Sequence, residues 1–129
     1  MVDDEVSLAH LFRQFLVKLG FDAVSFTDPL LALEHFKQSY EKYSVIFTDL
    51  RMPGMSGIDL ANEIRKSNAS IKIFLVTAFD IFDLENMEKY KTARIEQIVK
   101  KPVRLPTLKK ILEKSLSEES KSDKQLSSK

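Results

Sequence analysis

The chain has no cysteine and no tryptophan, and only three glycines and four prolines among its 129 residues. Without cysteine there is no disulfide framework, no thiolate metal site and no sulfur nucleophile. That absence suits a reducing compartment. Charge of one sign is lacking too: 20 Lys and Arg face 19 Asp and Glu, for a formal net charge of +1. With the signs interspersed, no electrostatic footprint for nucleic acid forms, and none is expected as a partner. No apolar run approaches the ~20 residues of a membrane span. The N-terminus has neither a basic region followed by an apolar stretch nor a lipidation signal. The expectation is a cytoplasmic protein that makes no use of a membrane.

What is present fits one globular domain: 43% hydrophobic and 30% charged residues in a chain long enough for a proper core. Residues 7–19 carry Leu8, Leu11, Phe12, Phe15, Leu16 and Leu19 at helical spacing, and Gly20 stands where such a helix stops. Residues 23–26 read as a short strand. Thr27 or Asp28 caps the next helix, with Pro29 in its first turn and Leu30, Leu33 and Phe36 inward. Residues 45–48 form an apolar strand that ends at Asp49. A helix carrying Ile58, Ala61 and Ile64 opens near Ser56-Gly57, and the β-prone run 71–76 ends at Thr77. Residues 81–92 read as a polar helix and 95–99 as a last strand. Pro106 starts a final helix with Leu108, Ile111 and Leu112. Strand and helix alternate throughout, which argues for an α/β fold with a parallel sheet covered on both faces. Residues 1–116 form the expected domain. Residues 117–129 contain one apolar residue, Leu126, and are expected to be a disordered polar tail.

The chemistry-bearing residues collect at strand ends. Asp3-Asp4 lie near the start, Asp49 ends the apolar run, Thr77-Ala78 end another and Lys101-Pro102 a third. Ligands in α/β sheets bind outside the carboxyl ends of the strands. Three carboxylates in one pocket need protons or a cation, since unit charges ~4 Å apart repel by about 4 kcal/mol at an effective dielectric near 20. Oxygen-only ligands favour a hard ion, and Mg²⁺ combines one or two carboxylates with phosphate oxygens. Lys101 supplies positive charge and the Thr77 hydroxyl a hydrogen-bond donor for the same group. The constellation reads as a site for reversible phosphorylation of Asp49. Each part alone is ordinary: a helix cap, a turn former, a β-prone threonine, a surface lysine. His10 and His35 read as solvated, and Lys100, Lys101, Lys109 and Lys110 as a solvated basic face.

With these motifs, Val2-Asp3-Asp4-Glu5, Asp49-Leu50-Arg51-Met52-Pro53-Gly54-Met55-Ser56-Gly57, Val76-Thr77-Ala78 and Lys101-Pro102, the chain resembles a response-regulator receiver domain over roughly residues 1–116. The resemblance implies a flavodoxin-like, doubly wound, five-stranded parallel sheet of order 2-1-3-4-5. It also implies roles. Asp49 resembles the phosphoacceptor, Asp4 the direct Mg²⁺ ligand, Asp3 a ligand acting through water, and Arg51 a ligand through its backbone carbonyl. Thr77 and Lys101 resemble the switch hydroxyl and the phosphate-binding lysine. The implied donor is a sensor histidine kinase or phosphotransfer protein, and the implied readout is a downstream protein target. Such a module is a signalling phosphoacceptor rather than an enzyme, catalysing only its own phosphorylation and dephosphorylation.

Two departures from that pattern stand out. Only Met1 and Val2 precede the acid pair, so the first strand is truncated, as in a chain whose native start lies upstream. Three residues before Lys101, where the family commonly has Tyr or Phe, stands Ile98, which has no ring to swing. Phe79 and Arg51 occupy positions that tune phosphoryl lifetime in relatives, which implies a fairly stable acyl phosphate. Three functions stay open: a stand-alone phosphorylation-controlled binding module, a receiver-like scaffold that binds without phosphorylation, and a phosphatase or phosphotransferase with an Asp nucleophile. The last lacks the customary second Asp, since Arg51 occupies its place. A receiver fragment of a larger signalling protein is the alternative to a stand-alone module.

Overall fold

The computed structural model describes residues 1–78 and 87–127, with side chains described as far as residue 116. Three parallel strands form its sheet: β1 (Val45–Asp49), β2 (Lys72–Thr77) and β3 (Gln97–Lys100), in the order β1-β2-β3. β1 and β2 pair from Val45 with Lys72 to Asp49 with Val76, and β2 and β3 from Phe74 with Gln97 to Thr77 with Lys100. Asp49, Thr77 and Lys101 therefore leave the sheet at one edge.

The two leading strands expected from the sequence are reduced to isolated bridges. Val2 bridges Phe26 on one side and Thr48 on the other, both in parallel. Its amide donates to Phe47 O at 2.9 Å, and its carbonyl accepts from the Asp49 amide at 2.8 Å. Residues 23–26 pair with the leading segment through the Phe26 amide to Met1 O at 2.9 Å and the Asp3 amide to Phe26 O at 3.0 Å.

The helices are α1 (Val6–Lys18), α2 (Pro29–Ser39), α3 (Gly57–Ser67), α4 (Glu88–Ala93) and α5 (Leu105–Ser127), with a short 3₁₀ turn at Tyr40–Lys42. Asp28 caps α2 by accepting from the Leu30 amide at 2.9 Å, with Pro29 in the first turn. Ser56 caps α3 through the Asp59 amide at 3.1 Å. Gly20 follows α1 at φ +96°, the left-handed geometry that glycine adopts at no steric cost. The helix expected over residues 81–92 falls partly outside the described residues; its described part is α4.

Alternation along the strands splits the core between two faces. Phe47, Phe74, Val76 and Val99 face Phe12 and Leu16 of α1 and Leu108 and Leu112 of α5. Ile46 and Ile73 face Ala32, Leu33 and Phe36 of α2 and Leu60, Ala61 and Ile64 of α3. Two leucines expected inside lie outward: Leu11 is 44% exposed and Leu30 53%. His35, expected in solvent, is half-buried instead. Its ring lies 5.0 Å from that of Phe26, and its Nε2 is hydrogen-bonded to the Tyr43 hydroxyl. None of the helices among the described residues is long and apolar enough to cross a membrane.

Candidate functional site

The site gathers where the sheet's carboxyl edge meets the loop before α1. The Asp49 amide bonds to Val2 O, so the chain that continues into Asp3 and Asp4 emerges directly beside β1. One carboxylate oxygen from each of Asp3, Asp4 and Asp49 lies within 4.8 Å of the other two. Asp3 is fully buried and Asp49 only 8% exposed, whereas Asp4 is exposed. The Glu5 amide donates to Asp3 Oδ1 at 3.0 Å and holds that side chain in place.

Lys101 reaches into this group from the end of β3. Its Nζ donates to Asp3 Oδ2 at 2.7 Å and stands 3.3 Å from Asp49 Oδ1. The Lys101 amide bonds to Thr77 O at 2.9 Å, which fixes the lysine against the end of β2. Burial works against the lysine's charge, but the Asp3 hydrogen bond and the charges of Asp3 and Asp49 outweigh it and raise its pKa. Burial also raises the pKa of Asp49; Lys101 opposes that rise and Asp3 adds to it. Thr77 is fully buried at the end of β2.

A cavity of about 530 Å³ opens over these groups, and its lining includes Asp3, Asp4, Asp49, Arg51, Ala78 and Lys101. Leu8, Leu11 and Phe15 of α1 line it as well. The structure thus brings Asp3, Asp4, Asp49 and Lys101 into one cluster, with Arg51 at the rim of the same cavity. Thr77 sits beside it through the Lys101 backbone. Phe79 lies outside the described residues.

One residue quoted in the sequence motif without a role takes one here. A Cβ on Gly57 would lie 2.1 Å from the Asp49 carbonyl oxygen, so only glycine lets α3 start this close to the acid. The signal for it was the glycine directly after a capping serine. The outward Leu11 also has a place, as wall of the cavity.

Among the described residues, the three clustered carboxylates share one ammonium, that of Lys101, which leaves the cluster net negative. Oxygen donors at this spacing suit a hard divalent cation. A family model for the response regulator receiver domain matches residues 1–113.

The chain belongs to that family.

Its acidic cluster is the one typical of receiver Mg²⁺ sites, and the fold is the α/β receiver fold, flavodoxin-like by family. Receivers are generally non-enzymatic signalling modules of two-component systems, and their partners are histidine kinases. Among curated relatives, a cyclic di-GMP phosphodiesterase of Thermotoga maritima is 33% identical over 109 residues, covering 84% of this chain and 28% of that protein. The sensory transduction protein RegX3 of Mycobacterium bovis is 38% identical over 80 residues, 62% of this chain and 34% of that protein. The receiver thus spans about a third or less of these relatives' length. Among solved structures, a CheY-like receiver domain protein from Methanospirillum hungatei aligns with a TM-score of 0.82 at 22% identity, covering 94% of each chain. A receiver domain protein from Clostridium thermocellum gives 0.81 at 22% identity, covering 92% of this chain and 93% of that one.

Proposed function

We propose that Asp49 accepts a phosphoryl group from a phosphohistidine on a sensor histidine kinase or phosphotransfer protein, and that the acyl phosphate switches binding to a downstream protein. The observation that carries this reading is the cluster itself: three carboxylates within 4.8 Å, and one lysine shared between Asp3 and Asp49. An Asp49 carboxylate oxygen attacks phosphorus in line, the phosphorus–nitrogen bond breaks, and the imidazole leaves and takes up a proton. Asp3, Asp4, Asp49 and the Arg51 carbonyl are the groups that would hold Mg²⁺. When bound, that ion neutralises charge on the phosphoryl oxygens. Lys101 trades one carboxylate contact for a phosphoryl oxygen, and Thr77 donates its hydroxyl to the same group. Ala78, being small, leaves the approach open.

Phosphorylation adds about −1.5 to −2 charge. Reversing a 1:99 equilibrium takes about 5.5 kcal/mol, and charge-assisted bonds to Lys101 and Thr77 are the source of much of it. The accompanying sheet order is 2-1-3-4-5, supported by the bridges of Val2 to Phe26 and Thr48. The length of the curated relatives favours a second form of the same reading, in which this receiver works within a longer signalling protein.

Incubation with Mg²⁺ and acetyl phosphate, followed by intact mass, tests the reading. One phosphoryl adduct in the wild type, absent from Asp49→Asn, is the expected result. No adduct in either protein overturns it in favour of a phosphorylation-independent scaffold, and rapid turnover of phosphoesters overturns it in favour of an enzyme.

A further inference from the structure

Of the residues of β1 ahead of the acid, only Thr48 is polar. It is fully buried, and it lies on the same face of the strand as Ile46, toward α2 and α3. Valine would suit both the strand and that apolar layer, whereas a hydroxyl buried there needs a partner. The partner is its own neighbour: Thr48 Oγ1 donates to the Asp49 carbonyl oxygen at 3.0 Å.

That carbonyl lacks the donor a regular ladder would give it. The Val2 amide donates to Phe47 O and the Asp49 amide to Val2 O, so the next rung would run from the Asp4 amide to Asp49 O. The leading segment instead turns off toward α1, and among the described residues this rung is not made. The Thr48 hydroxyl stands in for it. Gly57 sits against the same oxygen, close enough that a Cβ there would clash with it. A peptide unit is planar, so fixing its carbonyl also fixes its N–H. Here the N–H is that of Leu50, which hydrogen-bonds to the Asp49 carboxylate. One peptide unit thus joins a buried hydroxyl to the phosphoacceptor side chain. The Leu50 carbonyl is held in turn by the Gly57 amide at 2.8 Å, and Arg51 follows at the rim of the cavity.

We infer that Thr48 is a positioning residue for phosphoryl transfer: its hydroxyl fixes the Asp49–Leu50 peptide plane, and that plane aims the Asp49 carboxylate at phosphorus. The inference rests on the phosphoacceptor reading above. Thr48 touches neither the phosphoryl group nor the metal, and it acts through backbone alone. Without the hydroxyl the Asp49 carbonyl is a buried acceptor with no donor, and the plane turns to find one. The Leu50 amide then leaves the carboxylate, which loses its line of attack.

The initial rate of adduct formation from acetyl phosphate at saturating Mg²⁺, followed by intact mass, tests it in wild type, Thr48→Val, Thr48→Ser and Thr48→Ala. Melting temperatures are measured beside the rates. Thr48→Val keeps the shape and loses the hydroxyl, so it should react about tenfold more slowly, whereas Thr48→Ser should stay within about twofold of wild type. Thr48→Ala should be as slow as Thr48→Val. A role in packing alone gives another order, with valine the mildest change and serine and alanine alike, each lacking a methyl group. Rates that follow that order, or that follow the melting temperatures, overturn the inference. So does Thr48→Val reacting within about twofold of wild type. If Thr48→Val does not fold, serine against alanine decides, and equal rates overturn the inference. In each of these cases the wild type still takes up its adduct, so the phosphoacceptor reading stands. A wild type that takes up none overturns both.

Discussion

Replacing Asp49 with asparagine should make the metal-free protein more stable, although it removes an ion pair. The carboxylate oxygens of Asp3, Asp4 and Asp49 lie within 4.8 Å of one another. At that separation two unit charges repel by ~3.5 kcal/mol at an effective dielectric near 20. Lys101, 3.3 Å from Asp49, returns about 5 kcal/mol on the same scale. Two repulsions therefore offset one attraction, and the burial cost of the Asp49 carboxylate stays uncompensated. Exposure of Asp4 screens part of its share. Lys101 is not orphaned by the change, because its 2.7 Å bond to Asp3 remains. A gain of roughly 1–2 kcal/mol follows, which for a domain of this size raises the melting temperature by about 5 °C.

Far-UV circular dichroism melts in EDTA read this directly; with no tryptophan in the chain, indole fluorescence cannot. The pH dependence fixes the sign. A carboxyl whose folded pKa is raised destabilises the fold fully above that folded pKa. It ceases to do so below its unfolded value, near pH 4. The advantage of Asp49→Asn should thus be complete near neutrality and vanish below about pH 4. Mg²⁺ at a hundred times its dissociation constant should restore ~2.7 kcal/mol to the wild type and close the gap. A wild type more stable than Asp49→Asn in EDTA at neutral pH would refute the reasoning.

Two further outcomes are expected. Lys101→Met strips buried Asp3 of its 2.7 Å partner and should cost about 3–5 kcal/mol by urea unfolding, far more than Asp49→Asn changes in either direction. Gly57→Ala forces apart α3 and the Asp49 carbonyl, so it should lose about 1–3 kcal/mol in the same assay and also lower the extent of phosphorylation by acetyl phosphate. Unchanged stability in either variant counts against the packing described for it.

The readable parts of the sequence were those with local causes. Asp28-Pro29 and Ser56-Gly57 announce helix starts because a side-chain oxygen meets an amide two or three residues on. The runs ending at Asp49 and Thr77 are apolar at nearly every position because both faces of the sheet are covered. The clustering of Asp3, Asp4, Asp49 and Lys101 was legible because parallel strands deliver their ends to one edge. Less legible were features decided by distant partners. Helical spacing shows that Leu11 and Leu30 belong to an apolar stripe, but not which edge of the stripe meets the sheet. His35 finds Phe26 and Tyr43 only once α2 is docked. The carbonyls that Arg65 gathers from Ala69, Ile71, Ala93 and Arg94 have no signature in side-chain types at all.

Val2 ties the leading segment to β1 through its amide and its carbonyl, while Met1 and Asp3 bond to Phe26, and this seating decides which neighbour turns inward. With Val2 seated between Phe26 and Thr48, Asp3 is the covered acid and Asp4 the open one. Slippage by one position would turn every side chain of that segment to the opposite face, exchanging the two acids and moving the valine from the α2–α3 side of the sheet to the α1–α5 side. The asymmetry between an anchored and a reachable carboxylate is therefore a property of strand framing, maintained by the backbone bonds of Met1, Val2 and Asp3 together with the burial of the valine side chain.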